Sequence, residues 1–204
     1  MTVTALRQTS ADRITLVLDE TEELKTTLGV VTEHRLYKGA ELDDKEIELL
    51  RRDSARALAR ERAITLTSRR MYSRKELRDK LIAKGEDADV AEYCADWLVE
   101  RGIIDDALYA AAIVRHYSSK SMGAARIRVE LKRRGIDREL WDEALETLPD
   151  TSSALDRYIR FRLPDPYDLA AMRRLNETLY RRGYAWEDIR AAMSRYLKEY
   201  EENR

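Results

Sequence analysis

Apolar positions along the chain fall into two regimes. From Asp43 onward they recur every three or four residues, as on helices buried along one side; before Asp43 they alternate. In Arg13-Ile14-Thr15-Leu16-Val17-Leu18, residues Ile14, Leu16 and Leu18 share one face of a strand. Leu28-Gly29-Val30-Val31-Thr32 resumes a β-prone pattern that continues to about Leu36. Two strands around an acidic turn predict a β-hairpin extension over 13–42, after a flexible N-terminus over 1–12. A lone hairpin is marginally stable, so it should lean on the first helix or on a partner.

Helix starts are written in the capping residues. Asp43 and Glu46 have capping-box spacing, with Leu42 and Ile47 placed as a hydrophobic staple. Helix is expected from there to about Leu66, with a break near Asp53. Ser73-Arg74-Lys75-Glu76 forms a second box, stapled by Tyr72 and Leu77. Asp165-Pro166 reads as a third start, an N-cap followed by proline in the first helical position.

The helix ends reveal a repeat. Gly85, Gly135 and Gly183 lie 50 and 48 residues apart, each behind a basic residue: Lys84, Arg134 and Arg182. Apolar residues sit eight and four positions before each glycine. They are Leu77 and Leu81, Ile127 and Leu131, and Leu175 and Leu179. An amphipathic helix follows each glycine, carried by Val90, Cys94, Trp97 and Leu98, then Leu140, Trp141, Ala144 and Leu148, then Ile189, Met193 and Leu197. Another helix precedes each unit: 54–66, 108–117 and 154–161. The pattern predicts a mainly α chain, an elongated array of three tandem three-helix repeats over 43–102, 103–149 and 150–204. In such arrays neighbouring units bury each other's faces.

Composition agrees with long regular elements, since 204 residues include only 7 Gly and 3 Pro. No apolar run approaches the roughly 18 residues that span a membrane. The polar start lacks the apolar core of a secretory signal, so a cytoplasmic protein is the expectation. Cys94 is the only cysteine, which excludes an internal disulfide and a cysteine-cluster metal site.

Charge alters the picture more. The net value of −1 hides segregation: residues 1–50 carry 6 basic and 11 acidic groups, and residues 51–84 carry 12 and 4. Regional charge governs encounters with a polyanion. Three basic clusters stand out: Arg69, Arg70, Arg74, Lys75 and Arg78; Lys132, Arg133 and Arg134; and Arg173, Arg174, Arg181 and Arg182. Arginine's planar fork suits phosphate and carboxylate. The alternative is that these side chains only solvate helix faces or offset helix dipoles.

No catalytic set emerges, so the expectation is a protein that is not an enzyme and uses no cofactor or metal. His34 falls in the expected second strand and His116 near a helix end, both read as surface residues. There is no glycine-rich phosphate loop. Asp105-Asp106 follows Gly102 and precedes a helix, so capping explains it better than a metal does. Cys94, beside Trp97 on an apolar face, reads as core.

Several stretches resemble the RecX regulators of the RecA recombinase. Leu36-Tyr37-Lys38-Gly39-Ala40-Glu41-Leu42 is similar to that family's entry into its first helix. Ser68-Arg69-Arg70-Met71-Tyr72-Ser73-Arg74-Lys75-Glu76-Leu77 resembles its most recognisable signature, and Leu81-Ile82-Ala83-Lys84-Gly85 continues it. Leu98-Val99-Glu100-Arg101-Gly102-Ile103-Ile104-Asp105-Asp106, through Tyr109-Ala110, is similar to the next block. Lys120-Ser121-Met122-Gly123 and the segment from Ile127 to Gly135 match the second repeat. The likeness covers roughly residues 36–148, and the third repeat matches in pattern more than in residues. It implies a protein that lies in the groove of the RecA filament on single-stranded DNA and reduces ATP hydrolysis and strand exchange. The partners implied are the RecA filament and single-stranded DNA, met directly or through RecA, with no membrane and a monomeric chain. A stand-alone DNA-binding protein and a helical scaffold for another protein are the rival readings.

Overall fold

The computed structural model describes residues 1–148 and 152–203. Contacts divide the chain into two units, Met1–Ile104 and Asp105–Arg204.

The first unit opens with a three-stranded antiparallel sheet: β1 (Val3–Gln8), β2 (Arg13–Leu18) and β3 (Glu22–Thr27), in the order β1-β2-β3. Leu16 of β2 sits opposite Leu6 on one side and Leu24 on the other. Ile14, Leu16 and Leu18 are buried as their alternation requires, with Val3, Val30, Val31, Leu36, Ile47 and Leu50 around them. Two expectations are corrected here. The segment 1–12 holds β1 rather than a flexible end, because Val3 is fully buried and its backbone is tied to Gly39 and Ala40 by bonds of 2.7 and 2.8 Å. Leu28–Glu33 is a short helix, α1, not the second strand of a hairpin. The Thr27 hydroxyl caps it at Val30 N–H, and burial of Val30 and Val31 outweighs their preference for strand.

Helix α2 (Asp44–Thr67) carries the expected capping box, with Asp43 and Glu46 bonding each other's backbone N–H at 2.8 Å. It runs through Asp53 without the expected break, because two side-chain bonds fix that stretch to the N-terminal elements. The buried Ser54 hydroxyl bonds Thr26 at 2.8 Å, and Asp53 meets His34 Nε2 at 3.1 Å. His34 therefore ends α1 and is half-buried, rather than lying on a strand surface.

The last turns of α2 then pack with α3 (Arg74–Ile82) and α4 (Ala88–Glu100). Ala59, Ala63, Leu77, Leu81, Cys94 and Leu98 form their core. Ser73 caps α3 through Glu76 N–H. Cys94 is buried, and burial pushes its thiol up to about 11, which leaves it protonated and inert.

In the second unit, α5 (Asp106–Ser119), α6 (Ala124–Arg133) and α7 (Glu139–Glu146) enclose Tyr109, Ile113, Ile127, Leu131 and Ile136. Asp105 caps α5 through Leu108 N–H, as expected. Next, α8 (Ser152–Arg162), α9 (Leu169–Arg181) and α10 (Trp186–Glu202) enclose Leu155, Ile159, Leu175, Leu179 and Ile189. Helix α9 starts later than Asp165-Pro166 suggested. Asp165 instead accepts Tyr167 N–H in a local turn, and Asp168 caps the helix through Ala170 and Ala171 N–H. The repeat glycines all adopt positive φ: 93° at Gly85, 69° at Gly135 and 91° at Gly183. Every apolar residue of the repeat pattern four or eight positions before them is buried.

Candidate interaction surface

The first basic cluster is largely neutralised from within. Arg74 donates from Nε to Asp96 at 2.7 Å and from its fork to Glu92. Those two hydrogen bonds, the Asp96 one foremost, raise the guanidinium pKa above its ordinary value. Arg78 reaches the same Glu92 at 2.5 Å and Asp79 at 3.0 Å, while Lys75 meets Asp79 at 2.8 Å. Arg70 lies 3.5 Å over the Tyr72 ring and bonds Glu76 at 3.2 Å. These cations tie α3 to its own cap and to α4. Arg69 differs: it is exposed, and among the described residues its side chain has no hydrogen bond or ion pair.

The second cluster is mixed. Glu130 is 3% exposed, yet it is ionised between Arg133 at 2.8 Å and Arg126 at 3.1 Å. Burial pushes its carboxyl up; hydrogen bonds from Arg133 and Tyr117, with the charges of Arg133 and Arg126, more than reverse this and hold it below the usual glutamate range. Arg134 bonds the Tyr109 hydroxyl at 2.6 Å. Lys132 is exposed, with no side-chain partner among the described residues.

The third cluster is the least neutralised. Arg173, Arg174 and Arg181 are exposed, and among the described residues their side chains make no hydrogen bond or ion pair. Arg182 is positioned differently. It donates to the carbonyls of Lys120 at 3.1 Å and Ser121 at 3.2 Å, and its guanidinium lies 4.7 Å over the Tyr158 ring. Carbonyl oxygens orient the fork without cancelling its charge.

Arg182 belongs to a backbone junction that sequence reasoning missed. Gly123 caps α6 without a side chain. Its N–H donates to Arg182 O at 2.9 Å, and Ala125 N–H donates to Gly183 O at 3.2 Å. The carbonyl end of α9 thus satisfies the unpaired donors at the start of α6, and their opposite partial charges attract. A Cβ on Gly123 would fall 2.2 Å from Gly183 O, and one on Gly183 would fall 2.3 Å from Arg126 N. Nothing in the local sequence around either glycine signals a contact 60 residues away.

Further arginines stack on aromatic rings outside the three clusters. Arg56 lies 4.1 Å over the Tyr93 ring, and Trp97 is flanked by Arg101 at 4.0 Å and Arg60 at 5.4 Å. Near the third cluster, Arg162 sits 5.7 Å from both the Tyr158 and Phe161 rings. The alternation Arg157-Tyr158-Ile159-Arg160-Phe161-Arg162 was the available signal. Among the described residues no helix is long and apolar enough to cross a membrane.

Known proteins share this arrangement. Residues 59–98 match the model of the RecX first three-helix domain, and residues 105–145 match that of the second. The regulatory protein RecX of Xanthomonas oryzae pv. oryzae is 40% identical over 135 residues, covering 65% of this chain and 84% of that protein. That of Chromohalobacter salexigens is 39% identical over 145 residues, covering 68% and 92%. Among solved structures, a crystal structure of regulatory protein RecX superposes with a TM-score of 0.74 at 22% identity, covering 95% of this chain and 98% of that one. RecX from Lactobacillus salivarius gives a TM-score of 0.64 at 20% identity, covering 70% and 96%.

Proposed function

Because the chain belongs to the RecX family of regulatory proteins, we propose that it binds the RecA filament on single-stranded DNA and restrains it. The observation that carries this is the 40% identity over 84% of a RecX protein. The restraint takes the form of slower RecA ATP hydrolysis and slower strand exchange, by blocked filament growth or by disassembly. The chain works as a cytoplasmic regulator through surface charge and shape, not as an enzyme.

Three three-helix repeats offer several weak contact points on one chain. A filament presents equivalent subunits at regular intervals, whereas free RecA presents one. Linked weak contacts add their free energies, so the filament is preferred. Of the twelve clustered cations, Arg69, Lys132, Arg173, Arg174 and Arg181 are available to a partner without breaking an internal bond among the described residues. Arg70, Arg74, Lys75, Arg78, Arg133, Arg134 and Arg182 would have to exchange or share internal partners to serve the same role.

Binding of the full chain to RecA, measured with RecA assembled on single-stranded DNA and with free RecA, tests the reading. The assembled form is expected to bind roughly a hundredfold more tightly. Equal affinity for both forms counts against it. Arg69→Glu should weaken filament binding with helix content unchanged. Arg74→Glu is a poorer probe, since it sets a carboxylate against Glu92 and Asp96 and so disturbs α3 and α4 themselves.

A further inference from the structure

Between α8 and α9 lies an open groove of roughly 480 Å³, lined by Tyr158, Arg162, Ala171, Arg174, Leu175, Thr178 and Arg182. The lining holds three arginines and no carboxylate. That is unusual on a chain whose 38 basic residues face 39 acidic ones. A groove on the first unit shows the contrast. It holds Lys45, Arg51 and Arg52 together with Glu48, Asp87 and Asp89, so its charge is cancelled locally.

None of the three groove arginines is neutralised. Arg162 contacts only aromatic rings among the described residues, Arg174 has no side-chain partner there, and Arg182 is aimed by two carbonyls. Next to the lining residue Arg162, with its ring 5.7 Å from that guanidinium, stands Phe161, the only phenylalanine of the chain, 81% exposed. Exposing an aromatic ring that far forgoes its burial, which is worth about 1.5–3 kcal/mol for a large apolar side chain. Its position beside an unneutralised cationic groove gives it a use.

We propose that this groove holds the backbone phosphates of single-stranded nucleic acid directly, with Phe161 as a platform on which a base stacks. Arg162 and Arg174 take phosphate oxygens and Arg182 adds a charge fixed by two carbonyls, while the Thr178 hydroxyl is already engaged, donating to Arg174 O at 2.8 Å. A cationic track combined with an exposed ring is the general means of binding single strands without reading sequence. Acidic protein side chains would satisfy the arginines equally well but would leave Phe161 without a partner, so nucleic acid is favoured over protein. The assignment rests on the filament reading for its setting: a restraint seated on a DNA-filled filament meets the strand itself as well as the protein around it.

The test contains no RecA, so its failure is distinct from failure of the filament reading. Binding of a fluorescein-labelled oligothymidylate to the full chain is followed by anisotropy over a series of salt concentrations. Wild type should bind with affinity that falls as salt rises. Phe161→Ala should weaken binding about tenfold at fixed salt, the loss of one stacked base. Arg162→Ala with Arg174→Ala should flatten the log–log salt slope by about 1.4, two phosphate contacts on a single strand. Arg190→Ala, an exposed arginine of α10, serves as the charge control and should leave affinity and slope near wild type. All the altered side chains are exposed, and circular dichroism checks that helix content is retained. Three results overturn the proposal: no salt-sensitive binding by wild type, binding by the Phe161 and arginine variants equal to wild type, or equal weakening by Arg190→Ala. If the groove variants bind oligothymidylate normally but lose binding to free RecA, the groove takes protein carboxylates instead.

Discussion

Gly183→Ala is expected to destabilise the second unit by on the order of 3 kcal/mol or more, a large share of a small domain's stability. Two costs combine. Alanine at a φ of +91° is strained by about 1–2 kcal/mol. Its Cβ would also sit 2.3 Å from Arg126 N and 2.8 Å from Arg126 Cβ, and backbone does not yield as a flexible side chain does. Forced overpacking of this kind costs typically about 1–3 kcal/mol. Gly123→Ala separates the terms, because its φ of −80° suits any residue while its Cβ would lie 2.2 Å from Gly183 O. Gly85→Ala isolates the other one. Its φ is +93°, with nothing within 4 Å of the added methyl, so only the conformational cost of about 1–2 kcal/mol applies. Urea denaturation should therefore rank Gly183→Ala as most harmful. Equal loss in Gly85→Ala and Gly183→Ala would mean that the close approach of α6 and α9 carries no stability.

The second large effect concerns the equivalent leucines Leu81, Leu131 and Leu179, four positions before the repeat glycines. All three are fully buried, each in the core of a different three-helix group. Truncation to alanine is expected to cost about 2–5 kcal/mol in each case, from lost transfer energy and from the cavity left behind. Leu81 lies in the first unit and Leu131 in the second. Residues in separate cores share no cavity, so Leu81→Ala and Leu131→Ala should add within about 0.5 kcal/mol in the double variant. Calorimetry of the singles and the double checks this, with an interaction term above about 1 kcal/mol as the contrary result.

These two sets of residues mark what was legible in the sequence. The leucines and glycines of the repeat could be read because helix periodicity and helix ends are local patterns, and the three-helix groups followed from them. Asp43, Ser73 and Asp105 were legible for the same reason, since a cap and its N–H donor lie three residues apart. The junction of Gly123 with Gly183 was not, because its partners are 60 residues apart and neither leaves a side-chain trace. The Arg74 bonds to Glu92 and Asp96 were hidden similarly, so the first cluster looked more available on paper than it is folded. At the N-terminus, the β-branched run after Thr27 pointed to a strand, and tertiary burial turned it into α1. The groove of Arg162, Arg174 and Arg182 joins α8 to α9, and only the packing of those helices brings its arginines together.

RecA ATP hydrolysis on single-stranded DNA, with this chain added well below the RecA concentration, tests the central claim most directly. A chain that restrains the filament through contacts to several subunits should suppress hydrolysis strongly at such amounts, and the suppression should weaken in Arg69→Glu. Full RecA activity in the presence of an equal amount of folded wild-type chain would contradict it.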